Sequence, residues 1–494
     1  MLDNLVLGIQ TAFTVQNLLW CFVGVLVGTV IGLLPGLGST TGVAILIPLT
    51  MAFEPVTALI MLAGIYYGAQ YGGTITSVLL STPGEAPSVI TALDGYQMAR
   101  NGRAGAALAI AAIGSFVAAL ISLILLMAFA PPFAQWALNF SPVENFAIMV
   151  FGLVIVITFG GGTFARGLMM AALGILISTV GVSVGFIDAR YTFGNINLLS
   201  GVPFVEVMIG VFALGEVFHQ IRQGAVSPIR AGFKDLMITG SELKRSVMPI
   251  LRGTGIGFAL GTLPGAGSTL ASFMAYGIER KVSKNGKKFG TGQIEGVASP
   301  ESANNAAANA NFIPTLALGI PGGATTAVLL GAFTMYGIQP GPLLFDKQPA
   351  LVWGLLVSFF IGNVFLLILN LPLAPVFAQM LRVPYGYLYP LILLTSFIGA
   401  YSISNNTFSV WLVFVFGMLG YFFKEYNFPL APFVLGVVLG PLFEKAMAQT
   451  SAIGEGSFLI VLERPISFWI IVATALMVVV PPIVKSIRSR AKAK

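Results

Sequence analysis

Hydroxyls and glycines gather round a proline twice in this chain, as GLLPGLGST at Gly32–Thr40 and GTLPGAGST at Gly261–Thr269. Proline removes a backbone donor and clashes with the preceding turn, while glycine accepts positive φ, so each phrase predicts a broken helix. The N–H groups freed by a break, with the N-terminus of the half-helix after it, can hold an anion, and freed carbonyls suit Na⁺. The candidate binding residues are therefore Pro35, Gly36, Gly38, Ser39 and Thr40 in the first phrase and Pro264, Gly265, Gly267, Ser268 and Thr269 in the second. Each phrase is followed by another Pro-Gly break: LSTPGEAPS adds Thr82, Pro83 and Gly84, and LGIPGGATT adds Pro321, Gly322 and Gly323. Glu85 lies inside one of these breaks. A lone carboxylate at membrane depth costs about 2.5–3.5 kcal/mol, so it must pair or take a proton, and Glu85 is the candidate coupling residue. Asp94 and Glu301 are the other acidic residues near the breaks. In the run SPESANNAAANANFIP, Ser299–Pro314, the amides of Asn304, Asn305, Asn309 and Asn311 can donate to carboxylates or accept from a cation, though their spacing spreads them around a helix so that not all can face one ligand; Asn304 and Asn305 are the binding candidates. That run is either a solvated start of a helix or part of a pathway. No metal centre or organic cofactor is expected, only Na⁺ or H⁺ as a coupling ion.

The elements that position these residues follow from a duplication. Gly24, Gly28, Gly32 and Gly36 recur 229 residues later as Gly253, Gly257, Gly261 and Gly265, and Leu34, Pro35, Gly38, Ser39 and Thr40 find identical partners. Leu80, Pro83, Gly84 and Ala86 recur 238 residues later as Leu318, Pro321, Gly322 and Ala324. Gly24, Gly28, Gly253 and Gly257, at helical spacing, predict close helix packing. The division expected is a first membrane half at 1–221, a basic loop at 222–247 and a second half at 248–494.

Only 9% of the 494 residues are charged and 56% are hydrophobic, where a soluble domain carries roughly 25% charged residues. Apolar runs such as Val117–Ala130 and Leu351–Leu369 suit a bilayer needing about 20 residues per helix, and the chain holds about twelve such spans. No run shows the alternating polarity of a membrane β-barrel. The fold class is an all-α polytopic membrane protein. The N-terminus lacks the basic stretch of a signal peptide, so the first apolar segment is expected to remain. One cysteine, Cys21, excludes an intrachain disulfide.

Basic residues cluster at Arg222–Arg245, at Arg280–Lys288 and at Lys485–Lys494, marking cytoplasmic segments, with the C-terminus inside. They serve topology and not nucleic-acid binding. The second copy begins after a basic loop and the first after a terminus without basic residues, so the copies are expected to run in opposite directions. Inverted repeats with interrupted helices are a secondary-transporter arrangement, with substrate held between the halves. A passive organic-anion channel on the same plan is the alternative.

Enzyme readings find little. GVSVG at Gly181–Gly185 fits a serine-nucleophile pattern, which needs a strand-turn-helix setting and a histidine in reach, and the one histidine is His219. HExxH, CxxC and P-loop motifs are absent. No enzyme activity is expected.

Taken in order, IGLLPGLGSTTG, YGGTITSVLLSTPGEAPS with DGYQMARNGRAGAAL, GTLPGAGSTLASFMAYGIERK, EGVASPESANNAAA and LGIPGGATTAVLLGA make the chain resemble the large membrane subunit of tripartite tricarboxylate transporters, the TctA family. The resemblance covers nearly the whole chain. It implies a multi-pass permease of the bacterial inner membrane that imports citrate-like di- or tricarboxylates by proton or sodium symport. It also implies two partners, a small membrane subunit and a periplasmic solute-binding protein.

Overall fold

The computed structural model describes residues 2–34, 36–159, 162–182, 188–221, 238–265, 267–380 and 385–492. Pro35, Ser183 of the GVSVG run and the basic residues Arg222, Arg230 and Lys234 lie outside them. Among the described residues the regular structure is helical, apart from Gly181–Val182 paired antiparallel with Ala189–Arg190. Five helices are long and apolar enough to cross a membrane: Val15–Gly32, Ala104–Ala137, Pro349–Ala374, Thr407–Glu425 and Leu430–Ile453. Six more apolar helices are shorter, among them Gly38–Thr50 and Ala324–Met335. Gly38–Thr50 and Ala324–Met335 are short because each starts at a break.

The breaks sit in two matching trios of helices. In the first, a glycine-lined helix (Val15–Gly32) leads through the tip into Gly38–Thr50, and Pro55–Leu80 packs back against the glycines. In the second, Gly240–Gly261 leads through the tip into Gly267–Val282, and Glu295–Ala310 packs back in the same way. Local chemistry sets the starts: Thr14 caps the first helix by accepting from the Asn17 N–H, and Thr239 forms a reciprocal capping box with Glu242. At the tips Gly36 and Gly38 take φ of 82° and 62°, and Gly265 and Gly267 take 78° and 64°. The two tips share this left-handed backbone, which L side chains rarely adopt, and that explains why both phrases keep glycine there. Ser81 and Gly319, 238 residues apart, end their helices in the same left-handed conformation.

Glycine also sets how closely the helices meet. A methyl on Gly24, Gly28 or Gly32 would run into the backbone carbonyls of Met61, Ile65 or Ala69. One on Gly253, Gly257 or Gly261 would run into those of Ser299, Ala303 or Ala307. The packing expected of Gly24, Gly28, Gly253 and Gly257 is what the structure has, and Gly32 and Gly261 extend it. Gly255, on the same helix, faces open space. Gly257→Val is expected to destabilise the purified protein by about 1–3 kcal/mol through overpacking, whereas Gly255→Ala leaves its thermal unfolding unchanged or slightly higher. Equal unfolding temperatures for the two variants would contradict this packing.

Two long helices, Ala104–Ala137 and Pro349–Met380, tie the trios together: the former packs on Glu295–Ala310, and the latter on both Pro55–Leu80 and Ala104–Ala137. A further buried helix runs from Phe204–Met208 through a wide π turn, Ile209–Leu214, into Gly215–Gln220.

Candidate functional site

Residues from all four breaks line one cavity of about 590 Å³. The first tip contributes Gly36, Gly38, Ser39 and Thr40, the second Gly265, Gly267, Ser268 and Thr269. Pro83, Gly84 and Glu85 come from the third break and Gly323 from the fourth. Four α-helices begin at its wall, Gly38–Thr50, Gly267–Val282, Ala324–Met335 and Leu430–Ile453. Their N-termini carry unsatisfied N–H groups and the positive end of the helix dipole, a setting that favours negative charge.

A polar network links the halves across the cavity. Glu85 Oε1 accepts a short bond from the Ser39 hydroxyl and another from the Ser39 N–H at 3.3 Å. The Ser39 and Thr40 hydroxyls each lie 2.8 Å from Thr325 Oγ1, on the helix that follows the fourth break. Glu85 Oε2 is buried without a partner among the described residues. At the second tip the Ser268 hydroxyl is likewise buried and without a partner.

Glu85 and Lys424 are the charged residues of the described lining. Lys424 ends the Thr407–Glu425 helix and forms an ion pair with Glu216, whose Oε1 accepts from Gln220 Nε2 at 2.7 Å. This cluster presses on the first tip, since a side chain at Gly36 would strike Glu216 and Gln220. At the second tip the same test at Gly265 meets Val156, an apolar neighbour. The breaks themselves contain no cation, and the fold supplies one from far along the chain. Sequence reasoning passed over Lys424, Glu216, Tyr66, Gln70 and Thr325. The available signal was a single lysine at the end of a long apolar helix.

Other expected residues fall elsewhere. Thr82, Pro264, Pro321 and Gly322 belong to the breaks but are not in the described lining. Asn304 and Asn305 are not in it either, and the helix that bears them, Glu295–Ala310, is buried throughout, so it is not a solvated start of a helix. Asn305 Nδ2 donates to Ser115 Oγ at 2.7 Å, and Asn309 Nδ2 donates to Ser122 Oγ at 2.8 Å. Four residues apart, these two face the Ala104–Ala137 helix, and the asparagine that reaches the cavity is Asn311, beyond the helix end. Glu301 is buried, accepting from Thr74 at 2.8 Å and Thr91 at 2.5 Å, and it joins the two trios.

Asp94 is a structural anchor. It accepts from the N–H groups of Gly290, Gly292 and Gln293 and from the Tyr276 hydroxyl, all at 2.7–3.0 Å. It thereby holds the segment that follows the basic residues 280–288. Asp94→Asn turns an acceptor into a partial donor facing four donors, and it is expected to cost about 3 kcal/mol. Faster proteolytic nicking near residue 290 would report it, and wild-type nicking would refute the anchoring role.

Comparison with known proteins brings out a family. Residues 18–435 match the tripartite tricarboxylate transporter TctA family. A protein of Agrobacterium vitis, described as an uncharacterized 52.8 kDa protein in the TAR-I ttuC' 3' region, is 46% identical over 493 residues, 99% of this chain and 98% of that one. A second from the same organism, an uncharacterized protein in the TAR-II ttuC' 3' region, is 46% identical over 234 residues, 47% of this chain and 96% of its own length. No solved structure matches.

Proposed function

The chain belongs to the tripartite tricarboxylate transporter TctA family, and from that premise we propose that it is the large permease subunit of a tripartite symporter. It carries citrate-like di- or tricarboxylates across the bacterial inner membrane, driven by H⁺ or Na⁺, with a small membrane subunit and a periplasmic binding protein as partners. Its two halves are inverted repeats, and its C-terminus is cytoplasmic.

The observation that carries this reading is the convergence of all four breaks and four helix N-termini on one cavity that also holds a lysine and a carboxylate. The dipoles and Lys424 favour a polyanion, and Glu85, with one oxygen unpartnered, offers a place for the cation that must travel with it. Alternating access moves the broken trios relative to the long helices that tie them together.

Uptake of labelled citrate, succinate and related carboxylates into proteoliposomes holding this chain and its two partners tests the proposal. Accumulation is expected only with an imposed Na⁺ or pH gradient and only when the binding protein is present. Uptake that equilibrates and ignores both gradients would make the cavity a passive anion channel instead.

A further inference from the structure

The two tips are built alike and filled differently. At the first, a carboxylate of the protein itself, that of Glu85, sits on the N-terminus of the Gly38–Thr50 helix and takes both the hydroxyl and the N–H of Ser39. The repeat offsets place Ser268 and Gly323 at the corresponding positions of the second tip. The neighbourhoods correspond in space as well: Glu85 Cγ lies 3.7 Å from where a Cβ on Gly38 would stand, and Gly267 Cα lies 3.6 Å from where one on Gly323 would stand. At the second tip the carboxylate is missing. What is left is the Ser268 hydroxyl, 6% exposed, with the Tyr66 hydroxyl nearby but without a hydrogen-bond partner among the described residues, in the cavity wall at the start of a 16-residue helix.

We propose that this is the seat of a substrate carboxylate, which takes at the Gly267–Val282 helix the place that Glu85 takes for itself at the Gly38–Thr50 helix. The inference rests on the transporter reading. It divides the roles of two tips that the sequence makes look interchangeable. Glu85 fills the first and keeps anions off it by like charge, so a cation goes there; the second receives the anion through the Ser268 hydroxyl and the first-turn N–H groups. Asn311 frames the seat, its amide turned to donate to the carbonyls of Gly261 at 3.0 Å and Ala307 at 3.3 Å. Tyr66 and Gln70, one helical turn apart, line the same cavity. A second carboxylate on the same substrate has Lys424 within the cavity as its counter-charge.

Gly323 makes the idea testable by substitution. Its φ of −168° is extended backbone open to any residue, and a Cβ there finds its nearest neighbours at 3.5 and 3.6 Å. Gly323→Glu therefore copies Glu85 onto the second tip, and Gly323→Gln copies its shape without its charge. In the complete three-part complex, with citrate and succinate as probes, the glutamate variant is expected to take up at least about tenfold less than the glutamine variant. Ser268→Ala is expected to raise KM about tenfold, and Ser268→Thr, which keeps the hydroxyl, to bring it back within about threefold of wild type. If the Gly323 variants do not assemble, the Ser268 pair carries the test. A wild-type complex that accumulates substrate, with equal uptake in the Gly323 pair or an unmoved KM in Ser268→Ala, overturns the seat alone. A wild-type complex that accumulates no carboxylate under any gradient overturns the transporter reading, and the seat falls with it.

Discussion

Glutamine in place of Glu85 is expected to uncouple transport: accumulation against a gradient should fall to simple equilibration while exchange of substrate across the membrane persists. Glu85 Oε1 is held by Ser39 and its other oxygen is buried without a partner among the described residues, so the charged group is stable only while a proton or cation accompanies it. An uncompensated charge at that depth costs about 2.5–3.5 kcal/mol, which corresponds to roughly a hundredfold preference for the occupied form and sets the size of the expected loss in cation-stimulated uptake. Glutamine keeps the shape and an acceptor for Ser39 but has no charge to neutralise. Glu85→Gln vesicles that still accumulate citrate with the wild-type dependence on the ion gradient would remove Glu85 from coupling.

The second large effect is expected at Lys424. Lys424→Met leaves Glu216 buried with its cation gone, and breaking such a pair costs about 3–5 kcal/mol, so the variant should be poorly stable as well as inactive. Those two losses have different causes and can be separated. In Lys424→Met/Glu216→Gln both charges are gone, the buried carboxylate no longer needs a partner, and thermal stability is expected to recover. Uptake is not: the cavity has then lost its lysine, and a di- or tricarboxylate faces only dipoles and hydroxyls. The expected deficit is about a hundredfold in kcat/KM, the value of one strong charge-assisted contact. A stable double variant with wild-type KM would make the ion pair purely structural.

What was legible in the sequence was what short-range chemistry decides. Proline and glycine dictate backbone within a few residues of themselves, so both tips, their closely matched φ angles and the glycine seams against Met61–Ala69 and Ser299–Ala307 follow from their phrases. The partition of the breaks between lining and support was not legible. Pro264 and Gly265 are neighbours in one phrase, yet only Gly265 reaches the cavity. Side chains brought in from distant helices were further out of reach: Lys424 meets Glu216 from the far end of the chain, and nothing local in either helix announces the other. Asn305 misled for a related reason. Amides in an apolar chain suggest a polar path, but here Asn305 bonds to Ser115 on the adjoining long helix, and polarity serves packing.

The π turn at Ile209–Leu214 lies just ahead of Glu216 and Gln220. A π turn closes its ring one residue later than an α turn, so everything downstream is set back in phase around the helix axis. With ordinary winding through Ile209–Leu214, the same sequence would present Glu216 and Gln220 about 100° away. Gly36 would then face a different wall, and Lys424 would enter the cavity without its counter-ion. The charge balance of the chamber is thus set by a single surplus residue in the winding of a helix that carries none of the repeated phrases.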